Sequence, residues 1–362
     1  MRAAVLNEAR SPLTIDDLTI DDPGAGEALV RVVAAGVCHS DLHFIEGTYP
    51  ARMPTVLGHE VAGVVEAVGA GVTNVVAGDR VVLGFVQPCG HCEYCDAGRG
   101  NLCSSGGSAR DARNNPALKR GDDAVTAMTN VGGFAEQSLT PASGLVKIPD
   151  DVPLDVAALV GCSVMTGYGA VVNTAGVEPG STVAVIGTGG VGLNIIQAAR
   201  LAGARQIVAV DIAEHKLQFA REFGATDGVD ATSGDAVEQV KALTGGGVDY
   251  AFEAIGLKQT SEQAYGMARR GGTAVIVGMV PPTDKIEVSG MIWLEEKTLK
   301  GSFYGSGRFH TDMPRIFELY LAGKLDVEGL MTKRYPLDEI NEAFDALRSN
   351  EVARSILEIG SE

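Results

Sequence analysis

Residues Thr182–Ile186 (TVAVI) run straight into the glycine turn GTGGVG at 187–192, and a helix-like stretch follows at 194–201. An apolar strand that ends on glycines and then turns helical opens a parallel strand–helix–strand unit. Gly187, Gly189 and Gly192 allow a tight turn, close approach of a pyrophosphate and close packing of helix on strand. The N-terminus of the helix that follows offers free N–H groups and a positive dipole end, which suit phosphate. An acid stands where a ribose needs one: Asp211 closes the next apolar run, 207–210, 19 residues beyond Gly192. A carboxylate there repels a 2′-phosphate, so the pattern favours NAD over NADP. A structural turn with a capping aspartate is the competing reading, and the strand–helix context weighs against it.

The rest of the chain falls into place around this unit. From about residue 155 short apolar strands alternate with helices: 207–210, the amphipathic Glu214–Phe223, 250–252 and 273–277. That rhythm predicts a doubly wound parallel sheet. The first third is β-like instead, with runs at 28–34, 61–68 and Arg80–Leu83 separated by glycine turns. Residues 104–133 are polar and weakly periodic, and carry Arg110, Arg113, Lys119 and Arg120; they read as a long surface insertion, a contact loop or a linker. After about residue 303 come helices at 314–323 and 337–347 and a final strand at 355–359, which can return to the first domain. With 362 residues, two domains are expected, at roughly 150 residues each.

Charge narrows the function. Forty-six acids against 29 bases leave a net charge of −17, which opposes binding to nucleic-acid phosphates or to an anionic membrane. No signal peptide is visible at the N-terminus. The uncharged stretches 156–177 and 179–199 contain Gly, Ser, Thr and Asn, and read as buried helix and loop. A cytoplasmic protein is expected.

The six cysteines do not read as disulfides. Cys89, Cys92, Cys95 and Cys103 lie within 15 residues, spaced to wrap one tetrahedral ion. Four thiolates leave no open position, so the site is structural. An iron–sulfur cluster is the rival, although the C-x3-C-P continuation of the ferredoxin pattern is missing. Cys38, His59 and Cys162 have the types of a three-ligand zinc site open to water or substrate. Spacing alone cannot join them, and each taken singly reads equally as an ordinary buried residue.

With GVCHSDLH at 36–43, Gly58-His59-Glu60, the cysteine loop, Gly161-Cys162, GTGGVG and Ala353-Arg354-Ser355 in this order, the chain resembles the zinc-dependent alcohol dehydrogenases of the medium-chain dehydrogenase/reductase superfamily. The resemblance implies an α/β protein in two domains. A β-rich, GroES-like catalytic domain spans 1–162 and 304–362, and a Rossmann NAD-binding domain of 163–303 is inserted in it. It implies Cys38, His59 and Cys162 as catalytic zinc ligands, Glu60 as the acid beside the zinc and Asp41 as the partner orienting His59. Ser40 and His43 become the two ends of a proton relay. His39, Thr166, Lys216, Val277 and Arg354 join Gly187, Gly189, Gly190, Val191, Gly192 and Asp211 as cofactor contacts. Tyr49, Phe85, Met279 and Phe303 become the substrate pocket.

Two Zn²⁺ and NAD(H) per chain follow from the resemblance, with reversible oxidation of primary alcohols, aromatic or medium-chain alkyl, to aldehydes. Two alternatives stand beside it. One is a thiol-dependent formaldehyde dehydrogenase of the same family, for which the bases of 104–133 would bind a carboxylated thiol adduct; the other is an iron–sulfur electron-transfer protein. The resemblance also implies a homo-oligomer, a dimer in preference to a tetramer.

Overall fold

The computed structural model describes residues 1–104, 117–349 and 353–361, and separates the chain into two compact units. The first comprises Met1–Cys162, Arg308–Gly323 and Val327–Glu362; the second comprises Ser163–Gly307 and Lys324–Asp326.

The first unit is built on two sheets. In the larger, the long strand Glu27–Val37 pairs antiparallel with Glu60–Val68 on one side and Arg354–Glu358 on the other, so the last strand of the chain is hydrogen-bonded to one of the first. Glu60–Val68 continues to Arg80–Leu83 and then to Leu145–Lys147. Alternating Val, Ala and Leu from these strands enter one core with Leu6, Phe134 and Phe344. The helix Ile340–Arg348 contributes Ile340, Ala343, Phe344 and Leu347, at the spacing of one helical face.

The second unit is a six-stranded, all-parallel sheet. Its order is Asp227–Asp230, Gln206–Asp211, Thr182–Ile186, Val248–Glu253, Ala268–Ile276, Thr298–Gly301. The order reverses direction between Thr182–Ile186 and Val248–Glu253, which makes the crevice at their carboxyl ends the place for a ligand. Every residue of Thr182–Ile186 is buried, as a central parallel strand requires.

Three expectations need correction. The insertion 104–133 is not wholly irregular: Leu118–Arg120 and Asp123–Ala127 form an antiparallel hairpin with Leu118 opposite the likewise buried Val125. Strands of three and five residues are too short to display a period. Arg110 and Arg113 lie outside the described residues. The boundary expected at 304 falls at Arg308, because 304–307 is tied into the second unit. There Tyr304 is buried, Asn173 donates to the Gly305 carbonyl, and Thr174 and Ser306 hydroxyls lie 2.8 Å apart. The helix expected at 314–323 begins at Phe309 and includes Pro314, since Phe309, Met313, Ile316 and Phe317 already lie on its buried face.

The apolar stretch near 160 forms one helical segment, Leu154–Ala175, long and apolar enough to cross a membrane but mostly buried inside the protein. Cys162 sits in a π-helical turn of it, Val160–Val164, a local widening common at functional positions.

Candidate active site

Cys38 follows the strand Glu27–Val37 and caps the helix His39–Ile45. Asp41, in the first turn of that helix, accepts from the Cys38 backbone N–H at 3.3 Å and from Gly58 N–H at 3.0 Å. The same Oδ1 lies 3.1 Å from His59 Nδ1, which leaves Nε2 as the nitrogen available to a metal. Gly58 has φ +93, and a side chain there would meet Phe134 at 2.7 Å. The turn that presents His59 therefore depends on glycine.

Cys162 completes the set. Donor atoms of Cys38, His59, Glu60 and Cys162 all lie within 4.8 Å of one another, and all four residues are buried. The paired thiols divide the work of holding a proton. Cys38 is held well below the ordinary thiol range, chiefly by a hydrogen bond from Cys162, and Cys162 is pushed well above it. Burial would lower the His59 imidazole, but Asp41 and Cys38 together outweigh it and lift His59 well above the usual value.

Glu60 brings a buried carboxylate beside the three residues expected as ligands. A side chain on Gly36 would fall 2.3 Å from Glu60 Oε2, so Gly36 makes the room for that carboxylate. Burial raises Glu60 to about 8, opposed foremost by Arg354. Arg354 Nη1 stands 3.6 Å from Glu60 Oε1 and donates to the Val37 carbonyl. Expected as a phosphate contact, Arg354 is placed in the first unit with its guanidinium toward Glu60 and the two thiols.

Around this cluster, Ser40 Oγ lies 3.6 Å from Cys38 Sγ. Phe85 meets the His59 ring edge-on at 5.4 Å, and Tyr49 lies 5.8 Å from the His43 ring. His43 is half-buried and His39 exposed. Burial lowers the His43 imidazole, with Glu46 opposing.

The second cysteine set also converges: the sulfurs of Cys89, Cys92, Cys95 and Cys103 lie within 4.8 Å of one another. The Cys89–Cys95 and Cys92–Cys103 pairs are each 4.0 Å apart. Four sulfurs at about 2.3 Å from one ion stand about 3.8 Å apart, so the donor set fits a tetrahedral metal. Backbone N–H from Ser104 leads in lowering Cys92 to about 7, so its thiolate is available near neutral pH.

In the second unit the glycine turn has the form expected. Gly187 takes φ +88, and a side chain on Gly192 would collide with the Gly187 carbonyl at 1.8 Å. Gly189 faces open space and caps the helix Gly190–Leu201 without a side-chain hydrogen bond, so the first-turn N–H groups stand ready for an anion. The cradle fits a pyrophosphate. Asp211 is buried, and Thr188 donates to its Oδ2 through both backbone N–H (2.9 Å) and hydroxyl (2.8 Å). Lys216 lies in the first turn of the following helix. Thr166 is buried, Val277 and Met279 are half-buried just past the strand Ala268–Ile276, and Phe303 is 52% exposed. Sequence reasoning missed Thr188 and Gly36. Thr188 stands inside the motif, whereas Gly36 carries no local signal of its contact with Glu60.

Comparison with known proteins agrees with this geometry. Residues 24–150 match the model of the alcohol dehydrogenase GroES-like domain, and residues 190–321 that of zinc-binding dehydrogenases. An NDMA-dependent alcohol dehydrogenase of Amycolatopsis methanolica is 40% identical over 365 residues, covering 98% of each chain. The structure of benzyl alcohol dehydrogenase from Acinetobacter calcoaceticus superposes with a TM-score of 0.94 at 34% identity, covering 99% of each chain. A candidate zinc-binding dehydrogenase from Sinorhizobium meliloti, solved with NADP, gives 0.81 at 31% identity over 98% of each chain.

Proposed function

Because this chain belongs to the zinc-dependent alcohol dehydrogenases of the medium-chain dehydrogenase/reductase superfamily, we propose that it oxidises primary alcohols, aromatic or medium-chain alkyl, reversibly to aldehydes with NAD⁺. The convergence of Cys38, His59 and Cys162 beside Glu60 carries the reading, because it is the donor set of a catalytic zinc. The four-cysteine loop would hold a second, structural zinc. When bound, the catalytic zinc supplies Lewis acidity toward the alcohol oxygen and NAD⁺ accepts the hydride.

The chain's own residues do the rest. Asp41 orients His59 and fixes its tautomer. Ser40, beside Cys38, takes the hydroxyl proton, and His43 passes it toward solvent. Burial keeps His43 in the neutral form that accepts a proton at neutral pH. Gly189 and the helix it caps receive the pyrophosphate, and Asp211 receives the adenosine ribose. A carboxylate at that position supports NAD, although one structural neighbour is bound to NADP. Phe85 against His59 and Tyr49 against His43 offer aromatic surface to the alcohol, and the benzyl alcohol dehydrogenase neighbour supports an aromatic substrate. Met279 and Phe303 remain assigned to the substrate by resemblance. A cytoplasmic homo-oligomer, a dimer in preference to a tetramer, belongs to the same reading.

The NDMA-dependent relative favours a second reading, in which the reduced nicotinamide stays bound and NDMA reoxidises it. For the thiol-dependent alternative, two of the bases concerned are paired, Lys119 with Asp21 and Arg120 with Asp16 and Asn7. Family membership counts against the iron–sulfur alternative.

A screen of primary, secondary and aromatic alcohols tests the proposal, with NAD, NADP or NDMA as acceptor and with and without thiols, together with zinc and iron analysis. NADH formation from a primary alcohol by a colourless, zinc-loaded protein is the expected result. NDMA reduction without added NAD establishes the second reading, and iron in place of zinc overturns both.

A further inference from the structure

Glu253 ends the strand Val248–Glu253 beside the switch in strand order and is 0% exposed. Its carbonyl accepts from Val277 and Gly278 N–H at 2.8 and 3.1 Å. Its Oε1 gathers three donors: Ile255 N–H at 2.9 Å, Gly256 N–H at 2.7 Å and the Thr260 hydroxyl at 2.8 Å. Its Oε2 is buried without a hydrogen-bond partner among the described residues.

The turn held this way is packed on two sides. Ala254 N–H donates to the Ile186 carbonyl at 2.9 Å, and a side chain on Gly187 would strike Ile255 Cγ1 at 2.4 Å. On the other side, a side chain on Gly256 would lie 2.7 Å from Met279 N, and one on Gly278 would lie 2.1 Å from Gly256 N. Residues 254–257 are thus wedged between the glycine turn and the segment 277–279, and one carboxylate sets their shape.

We propose that Glu253 is a positioning residue for the dinucleotide, fixing the 254–257 turn so that the glycine turn and the 277–279 segment keep the spacing the cofactor needs. This rests on the nicotinamide reading above. Without the carboxylate, two backbone N–H groups and a hydroxyl lose their shared acceptor, in a turn that carries Gly256 at φ +94.

NADH titration of full-length protein by fluorescence, with nucleotide retained through purification counted after denaturation, tests this beside melting curves. Glu253→Ala should weaken NADH binding about tenfold, the effect of orphaning buried donors. Glu253→Gln, which keeps an acceptor oxygen, should stay within about threefold of wild type. Thr260→Val removes one donor and leaves the carboxylate, so it carries the test if Glu253→Ala does not fold; about a threefold loss is expected. Unchanged NADH affinity in the folded variants, with only the melting temperature lowered, overturns the proposal and leaves the cofactor reading standing. A wild-type protein that neither retains nucleotide through purification nor takes up NADH overturns both.

Discussion

Oδ1 of Asp41 lies 3.1 Å from Nδ1 of His59, and neither side chain is open to solvent. The same oxygen takes the Gly58 N–H, so one carboxylate governs both the imidazole and the turn that presents it. Asp41→Asn should therefore lower zinc affinity at this site by about 10- to 100-fold, the usual cost of losing such a partner. Zinc retained through dialysis against a graded chelator measures it, and unchanged retention would remove Asp41 from the site.

Cys38→Ala or His59→Ala should abolish alcohol oxidation, because two remaining donors hold zinc poorly. NADH binding should persist, since the glycine turn and Asp211 lie in the other compact unit. Steady-state rates and NADH fluorescence, taken on the same preparation, separate the two effects.

The four-cysteine loop should behave differently. Cys89→Ser or Cys103→Ser should reduce zinc from two to one per chain and lower the melting temperature, because metal at a closed site contributes folding energy. Metal analysis and calorimetry check this. Full stability with one zinc would assign the loop another role.

Asp211→Gly should relax the preference for NAD over NADP. The substitution removes the charge that repels a 2′-phosphate and also frees Thr188 from both of its hydrogen bonds. An unchanged ratio of kcat/KM for the two cofactors would show that another residue makes the choice.

His43 predicts a pH dependence. Burial sets its folded-state value below the ordinary 6.5, so acid protonates the unfolded chain first. Stability therefore declines as pH falls from 6.5 toward the folded value and is unaffected by His43 above 6.5. The acid limb of alcohol oxidation should lie below pH 6.5 and disappear in His43→Gln. Melting temperatures and kcat/KM for both proteins between about pH 5 and 8 test the pair of claims.

Legibility followed range. The strand Thr182–Ile186 and its glycine turn could be read directly, because each depends on neighbours a few residues away, and Asp211 by its spacing from that turn at the end of the next apolar run. The hairpin of Leu118–Arg120 and Asp123–Ala127 could not, since its stability comes from Leu118 and Val125 entering a core made elsewhere in the chain. Gly36 could not be read either: its reason is Glu60 on the next strand, a contact that only the pairing of Gly36 with Glu60 reveals.

The sequence by itself determined the elements whose chemistry is local: the dinucleotide turn and the four-cysteine loop. Family resemblance was needed to join Cys162 to Cys38 across 124 residues. Only the tertiary structure decided that Arg354 pairs with Glu60 beside the two thiols and that Glu253 holds a turn against Gly187 and Met279. The physical reason is that buried charges are placed by the strands that carry them. Those strands meet through pairing and core packing, which spacing along the chain does not encode.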